Sequence, residues 1–156
     1  MQLRAPRIVV LAALASMTLQ ACGGALSKEE FIEAADELCE KADERSQDLE
    51  PPTNPEALRV FVERAEQITR RLVEDLRELE PPEDDRETID RMIDKIEEAV
   101  GYLPAIERAA RLSDVAAIQQ LGARLQAAAA EANDLARDYG MKKCGRAAPA
   151  APEGGG

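Results

Sequence analysis

An all-α, antiparallel up-down-up-down four-helix bundle with one disulfide is the fold this chain predicts, and three observations predict it. Apolar residues recur at alternating spacings of three and four over four segments, the period of a helix with one inward face. Prolines and capping residues separate those segments. The connections are short and the rods similar in length, which favours antiparallel neighbours. No strand-like alternation competes.

The first helix opens at Ser27, where Ser27-Lys28-Glu29-Glu30 is a capping box and Leu26 and Phe31 flank it as a hydrophobic staple. Its inward stripe is Phe31, Ala35, Leu38/Cys39, Ala42 and Leu49, and Pro51-Pro52 ends it. The second has Asn54 as cap and Pro55 at the first helical position, where a missing N–H is harmless. Leu58, Phe61/Val62, Ala65, Ile68, Leu72, Leu76 and Leu79 face inward until Pro81-Pro82 stops it.

Asp84 or Asp85 is the expected cap of the third helix, whose inward face runs Ile89, Met92/Ile93, Ile96, Val100, Leu103 and Ile106. Ser113 with Asp114 starts the fourth, lined by Val115, Ile118, Leu121, Leu125, Ala128/Ala129, Ala132, Leu135 and Tyr139, with Gly140 placed to end it. The bundle therefore occupies residues 27–145. Residues 146–156, rich in alanine, proline and glycine, supply no core residue and read as a disordered tail.

Ahead of the bundle, Arg4 and Arg7 precede a mostly apolar run from Ile8 to Leu19. About 12 residues is short of the roughly 20 that span a bilayer, and suits a signal segment. The run ends in Leu19-Gln20-Ala21-Cys22, which resembles the signal peptide of a bacterial lipoprotein. That resemblance implies removal of residues 1–21, lipidation (palmitate among the acyl chains) of Cys22, and a short lipidated tether over 22–26. It places the protein on the extracytoplasmic side of a cell membrane, with the bilayer itself as a partner. Two or three acyl chains hold far better than the marginal anchor of one.

Composition excludes several functions. The formal net charge is −11, and it becomes more negative once Arg4 and Arg7 leave; phosphate backbones repel such a chain, so nucleic acid is not an expected partner. Histidine is absent, which removes Ser-His-Asp and Cys-His catalysis, the commonest zinc sites and the Glu-x-x-His pairs of di-iron bundles. No cofactor and no enzymatic activity are expected.

With Cys22 assigned to lipid, two of three cysteines remain, Cys39 and Cys144. An even pair in an exported domain reads as a disulfide, with two separate buried thiols as the alternative. The topology offers a check. The end of the fourth helix lies beside the start of the first, bringing Tyr139 near Phe31. Cys39 is about 12 Å along the helix from Phe31, and the stretch from Gly140 to Cys144 reaches roughly 13–16 Å. A chain turning at the glycine can run back to Cys39. In the loop-entropy treatment such a closure is worth roughly 4–5 kcal/mol.

Three patterns together, Phe31-Ile32-x-x-Ala35-Asp36-x-Leu38-Cys39, Leu76-x-x-Leu79-x-Pro81-Pro82 and Tyr139-Gly140-x-x-x-Cys144-Gly145, resemble a group of small exported helical proteins of actinobacteria. Many of these are lipoproteins, and they lack an assigned activity. The resemblance supports the Cys39–Cys144 pairing and implies no catalytic residues.

Three further features bear on function. The acids Glu83, Asp84, Asp85, Glu87, Asp90 and Asp94 lack the spacing of a calcium loop and follow a helix start, where negative charge is favourable anyway; no metal site is expected. Gly101-Tyr102-Leu103-Pro104 interrupts the third helix, and the proline should bend it. Gly101, Tyr102 and Pro104 thus mark a candidate ligand pocket, the alternative being a curved helix fitting its neighbours. Gly122 and Ala127-Ala128-Ala129-Ala130 allow close packing within the bundle or a partner-docking face. The expected function is a non-enzymatic binding or interaction module of the cell envelope, monomeric, with an envelope protein as possible partner. The alternative is a carrier of a small apolar ligand, which calls for a cavity of about 300 Å³ or more lined by helices two to four.

Overall fold

The computed structural model describes residues 24–146. The expected signal segment, Cys22, and the expected tail beyond Arg146 lie outside the described residues. Every regular element among those described is helical: α1 (Lys28–Gln47), α2 (Pro55–Glu78), a 3-10 turn (Glu83–Asp85), α3 (Arg86–Gly101), α4 (Leu103–Arg111) and α5 (Val115–Tyr139). The third predicted rod is thus two helices, α3 and α4, and with that division the all-α bundle is the fold observed.

The starts follow local chemistry in three of the four rods as read. Ser27 accepts from the Glu30 N–H while Glu30 accepts from the Ser27 N–H at 2.9 Å, completing the capping box. These bonds hold the Glu30 carboxyl below the usual carboxylate range, the Ser27 side chain contributing most. Asn54 accepts from the Ala57 N–H at 2.8 Å, with Pro55 at the head of α2. At α5 the cap is Asp114, accepting from the Ala117 N–H, and the preceding Ser113 takes a positive φ of 55°.

The α3 start differs from expectation. Neither Asp84 nor Asp85 caps it with a side chain. Asp85 has near-helical dihedrals (φ −98°, ψ −9°), not the extended ones a cap requires. Its carboxylate instead accepts from the Tyr139 hydroxyl at 2.9 Å. Burial first, and then this bond to Asp85, push the Tyr139 hydroxyl well above the usual phenol range.

The break between α3 and α4 also differs from a bend. Tyr102 ends α3 and begins α4, and its carbonyl accepts from the N–H of Ala105 and of Ile106. Pro104 is the second residue of α4, a position whose N–H has no partner within its own helix. The proline begins a new helix here, and its missing donor does not interrupt an old one.

The core gathers at one end of the bundle. Phe31, Leu76, Ile89, Met92, Ile93 and Met141 are essentially sealed, and Phe31 meets Tyr139 edge-on with ring centroids 6.1 Å apart. Residues 24–146 close this core among themselves, with Leu26 packed on it and its N–H bound to the Glu80 carbonyl. One inward assignment fails at the other end, where Val115 is 62% exposed; Leu49 is half-buried but lies past the end of α1.

Candidate ligand cavity

The cavity begins with how α5 ends. Gly140 has φ 114°, a conformation that suits glycine alone among common residues. Met141 N–H reaches the Ala136 carbonyl and Gly140 N–H the Arg137 carbonyl, the paired bonds of a Schellman motif. Met141 is driven into the core at 2% exposure, and the chain turns back along the bundle.

From there residues 140–146 form a strap. Asp36 of α1 accepts the N–H groups of Lys142, Lys143 and Cys144 at 2.8, 2.8 and 3.1 Å. Cys144 is joined to Cys39, with Cα atoms 5.2 Å apart, inside the range a disulfide needs. Gly145 lies so close to α5 that a Cβ there would fall 2.8 Å from the Met141 carbonyl and 3.0 Å from the Arg137 Cα. The predicted return to Cys39 is the path observed.

The strap stands where two helices fail to meet. No Cα of α1 comes within 8 Å of one in α5, so the bundle is open along that side. Above the disulfide this gap becomes a cavity of about 290 Å³. Leu72 of α2, Met92, Ile96 and Val100 of α3 and Leu103 of α4 form its apolar back wall. On α5 the wall is small: Ala129, Ala132 and Ala136, with Leu125 at its far end. Cys39 and Cys144 close it on the strap side.

The sequence placed a pocket near the helix break, and the cavity does reach it, but through other residues. Gly101 and Pro104 are exposed and Tyr102 is half-buried, its hydroxyl donating to Glu98 at 3.2 Å. None of the three lines the cavity; Ala99, Val100 and Leu103 do. Helical spacing explains the exchange. Ile96, Ala99, Val100 and Leu103 recur at three and four and share one face, whereas 101 and 102 fall outside it; Pro104 lies in the separate helix α4 and is exposed.

The lining also holds polar groups that the sequence reading did not single out. Asp43, Thr69, Asn133, Lys143 and Arg146 stand around the cavity. The Thr69 hydroxyl is already bound to the Ala65 carbonyl. Lys143 pairs with Glu40, and Arg146 lies 3.9 Å from Asp43, at the limit of an ion pair. A signal for these was present in the sequence: Lys142, Lys143 and Arg146 follow Gly140 with no acid among them, in a chain of net charge −11.

Elsewhere the candidates separate. An added Cβ on Gly122 would meet nothing within 4 Å, so that glycine serves no close approach inside the bundle. Ala128, Ala132 and Ala136 are the small residues buried on α5. Glu107, the most enclosed carboxylate of the ion pairs, sits on α4 opposite Arg111 at 3.3 Å and does not line the cavity. Among the described residues, no three His, Cys, Asp or Glu side chains assemble as a metal-holding group, the acidic stretch after Pro82 included. No described helix is long and apolar enough to cross a membrane.

Fold and site together define a class: a disulfide-strapped helical bundle with a side cavity between its first and last helices. The chain matches no family model, no curated protein and no solved structure.

Proposed function

We propose that this chain is a lipid-anchored binding module of the cell envelope, without enzymatic activity, that holds a small and largely apolar ligand in the cavity beside its disulfide strap. The observation that carries this reading is the cavity itself, about 290 Å³ with a mainly apolar wall. That volume is near the lower bound for small-molecule sites, which are apolar chambers with a few placed polar groups. Of the two functions expected from the sequence, the carrier is thereby favoured over a module that docks a protein partner.

The anchor rests on Leu19-Gln20-Ala21-Cys22. Metabolic labelling with a fatty acid should mark the wild type and leave Cys22→Ser unmarked; equal labelling of both would remove the anchor from the proposal. The ligand is tested by native mass spectrometry of protein purified from the envelope without reductant. A mass excess that disappears on denaturation is expected, and Ala129→Leu, which puts a larger side chain into the cavity wall, should abolish it. A bare wild-type chain, together with no uptake of added apolar compounds, would overturn the carrier reading and return attention to protein partners.

A further inference from the structure

The strap that closes the cavity is basic, and its placement bears on what the cavity takes. Residues 140–146 carry Lys142, Lys143 and Arg146 and no acid, while the whole chain has a net charge of −11. An anion approaching such a protein meets repulsion over most of the surface. At the cavity the balance shifts: its lining carries Lys143 and Arg146 against Asp43, with Glu40 pairing Lys143 from outside the lining.

The strap's backbone is held independently of these cations, although the Lys143 ammonium also pairs with Glu40 of α1. Asp36 anchors its backbone through three N–H groups, and the disulfide ties Cys144 between the two lining cations. Arg146 is 55% exposed and 3.9 Å from Asp43, too far for a close charge-assisted hydrogen bond. Its guanidinium therefore retains donors for a second carboxylate. Asn133 of α5, also in the lining, adds an amide across the gap.

Building on the carrier reading, we infer that the ligand is a single-chain amphiphile with an anionic head: an acyl chain lies along Leu72, Ile96, Val100 and Leu103, and its carboxylate meets Arg146 and Lys143 at the strap. The match is one of charge and shape together. The apolar wall accepts the chain, and the adjacent cations attract a carboxylate at the mouth. A cationic head would meet the same two cations and be rejected.

Three compounds with one ten-carbon tail separate the two levels of this reading: decanoate, decanol and decylammonium. Titration calorimetry on residues 22–156, oxidised and carrying Cys22→Ser, contains the whole self-closed core. Decanoate should bind roughly tenfold more tightly than decanol, the increment of one charge-assisted contact, and decylammonium more weakly than either. Raising the salt concentration should weaken decanoate and leave decanol unchanged. Lys143→Glu with Arg146→Glu should invert the order, and Asp43→Asn should tighten decanoate by freeing Arg146.

Equal affinity for the three compounds, or decanoate binding insensitive to both salt and charge reversal, would overturn the head-group assignment while the cavity reading stood. Tightest binding of decylammonium would overturn it as well. Failure of all three to bind would remove the cavity reading with it. Should the charge-reversed chain not fold, the salt dependence of the wild type decides the matter.

Discussion

The two ends of this bundle differ in how they are built. At the strap end, the start of α1, the end of α2, the start of α3 and the end of α5 converge. Phe31, Leu76, Ile89, Met92, Ile93 and Met141 fill the space between them with almost no exposure. Lys28 lies over the Tyr139 ring at 4.2 Å, and Tyr139 binds Asp85. At the far end, α4 buries only Ala109, and Leu112 and Val115 stand 74% and 62% exposed. One end is a packed core with a covalent staple, and the other is a loose helical cap.

That difference explains where the cavity sits. Helices packed closely on all sides leave no chamber, and helices packed nowhere leave no wall. The cavity occupies the transition, where Met92 still belongs to the core and Val100 and Leu103 approach the break. On the α5 side the alanines that let the helix pack against α3 are too short to reach across to α1. The strap fills only the lower part of that opening. A binding site thus arises from small residues meeting an unclosed edge, with rigidity supplied from the stapled end.

The sharpest way to break this comparison is one substitution at each end. Phe31→Ala removes a sealed aromatic ring from the core and should cost about 3–5 kcal/mol, as large-to-small changes at such sites do. Leu112→Ala removes an apolar side chain that is already in solvent and should change stability by no more than about 0.5 kcal/mol. Urea unfolding followed by circular dichroism measures both. Similar losses from the two variants would mean that the far end is as tightly built as the strap end, and the contrast drawn above would fail.

Much of the stapled end was legible in the sequence because its signals are local or strictly periodic. Ser27 through Glu30 fit a capping box wherever a helix follows. Phe31, Ala35 and Cys39 are one turn apart, and Gly140 marks a helix end that fixes where the chain can go next. From these the meeting of Phe31 with Tyr139 and the closure at Cys39–Cys144 could be reasoned by reach alone. Met141 was not anticipated in the core, since its burial depends on the Schellman turn and not on the α5 period.

The far end was less legible, and for a physical reason. Val115 continues the apolar spacing of α5, but spacing says which face a residue shares and not whether a neighbour covers that face. α1 stops at Gln47, too early to cover it. The cavity residues were missed for a related cause. Gly101, Tyr102 and Pro104 stand out because they are unusual residues in a helix, whereas a cavity wall is made of ordinary ones, such as Ala129, Ala132 and Leu103, at a place where a partner is missing. The opening between α1 and α5 is a property of the assembly, and no local pattern encodes it.

The smallest effect is expected at the proline from which the sequence predicted a bend. Pro104 lies at the second position of α4 and is exposed, so its absent N–H deprives the helix of no bond it would otherwise make. Pro104→Ala should therefore alter stability by no more than about 0.5 kcal/mol and leave ligand retention unchanged, because the wall at this point is Val100 and Leu103. Thermal unfolding and native mass spectrometry of the variant check both halves. If ligand retention fell with stability intact, the proline would be setting the angle between α3 and α4, and the cavity would depend on the loose end as much as on the stapled one. If both stayed as they are in the wild type, the break would be a simple junction between two helices, and the determinants of binding would lie wholly on the strap side of it.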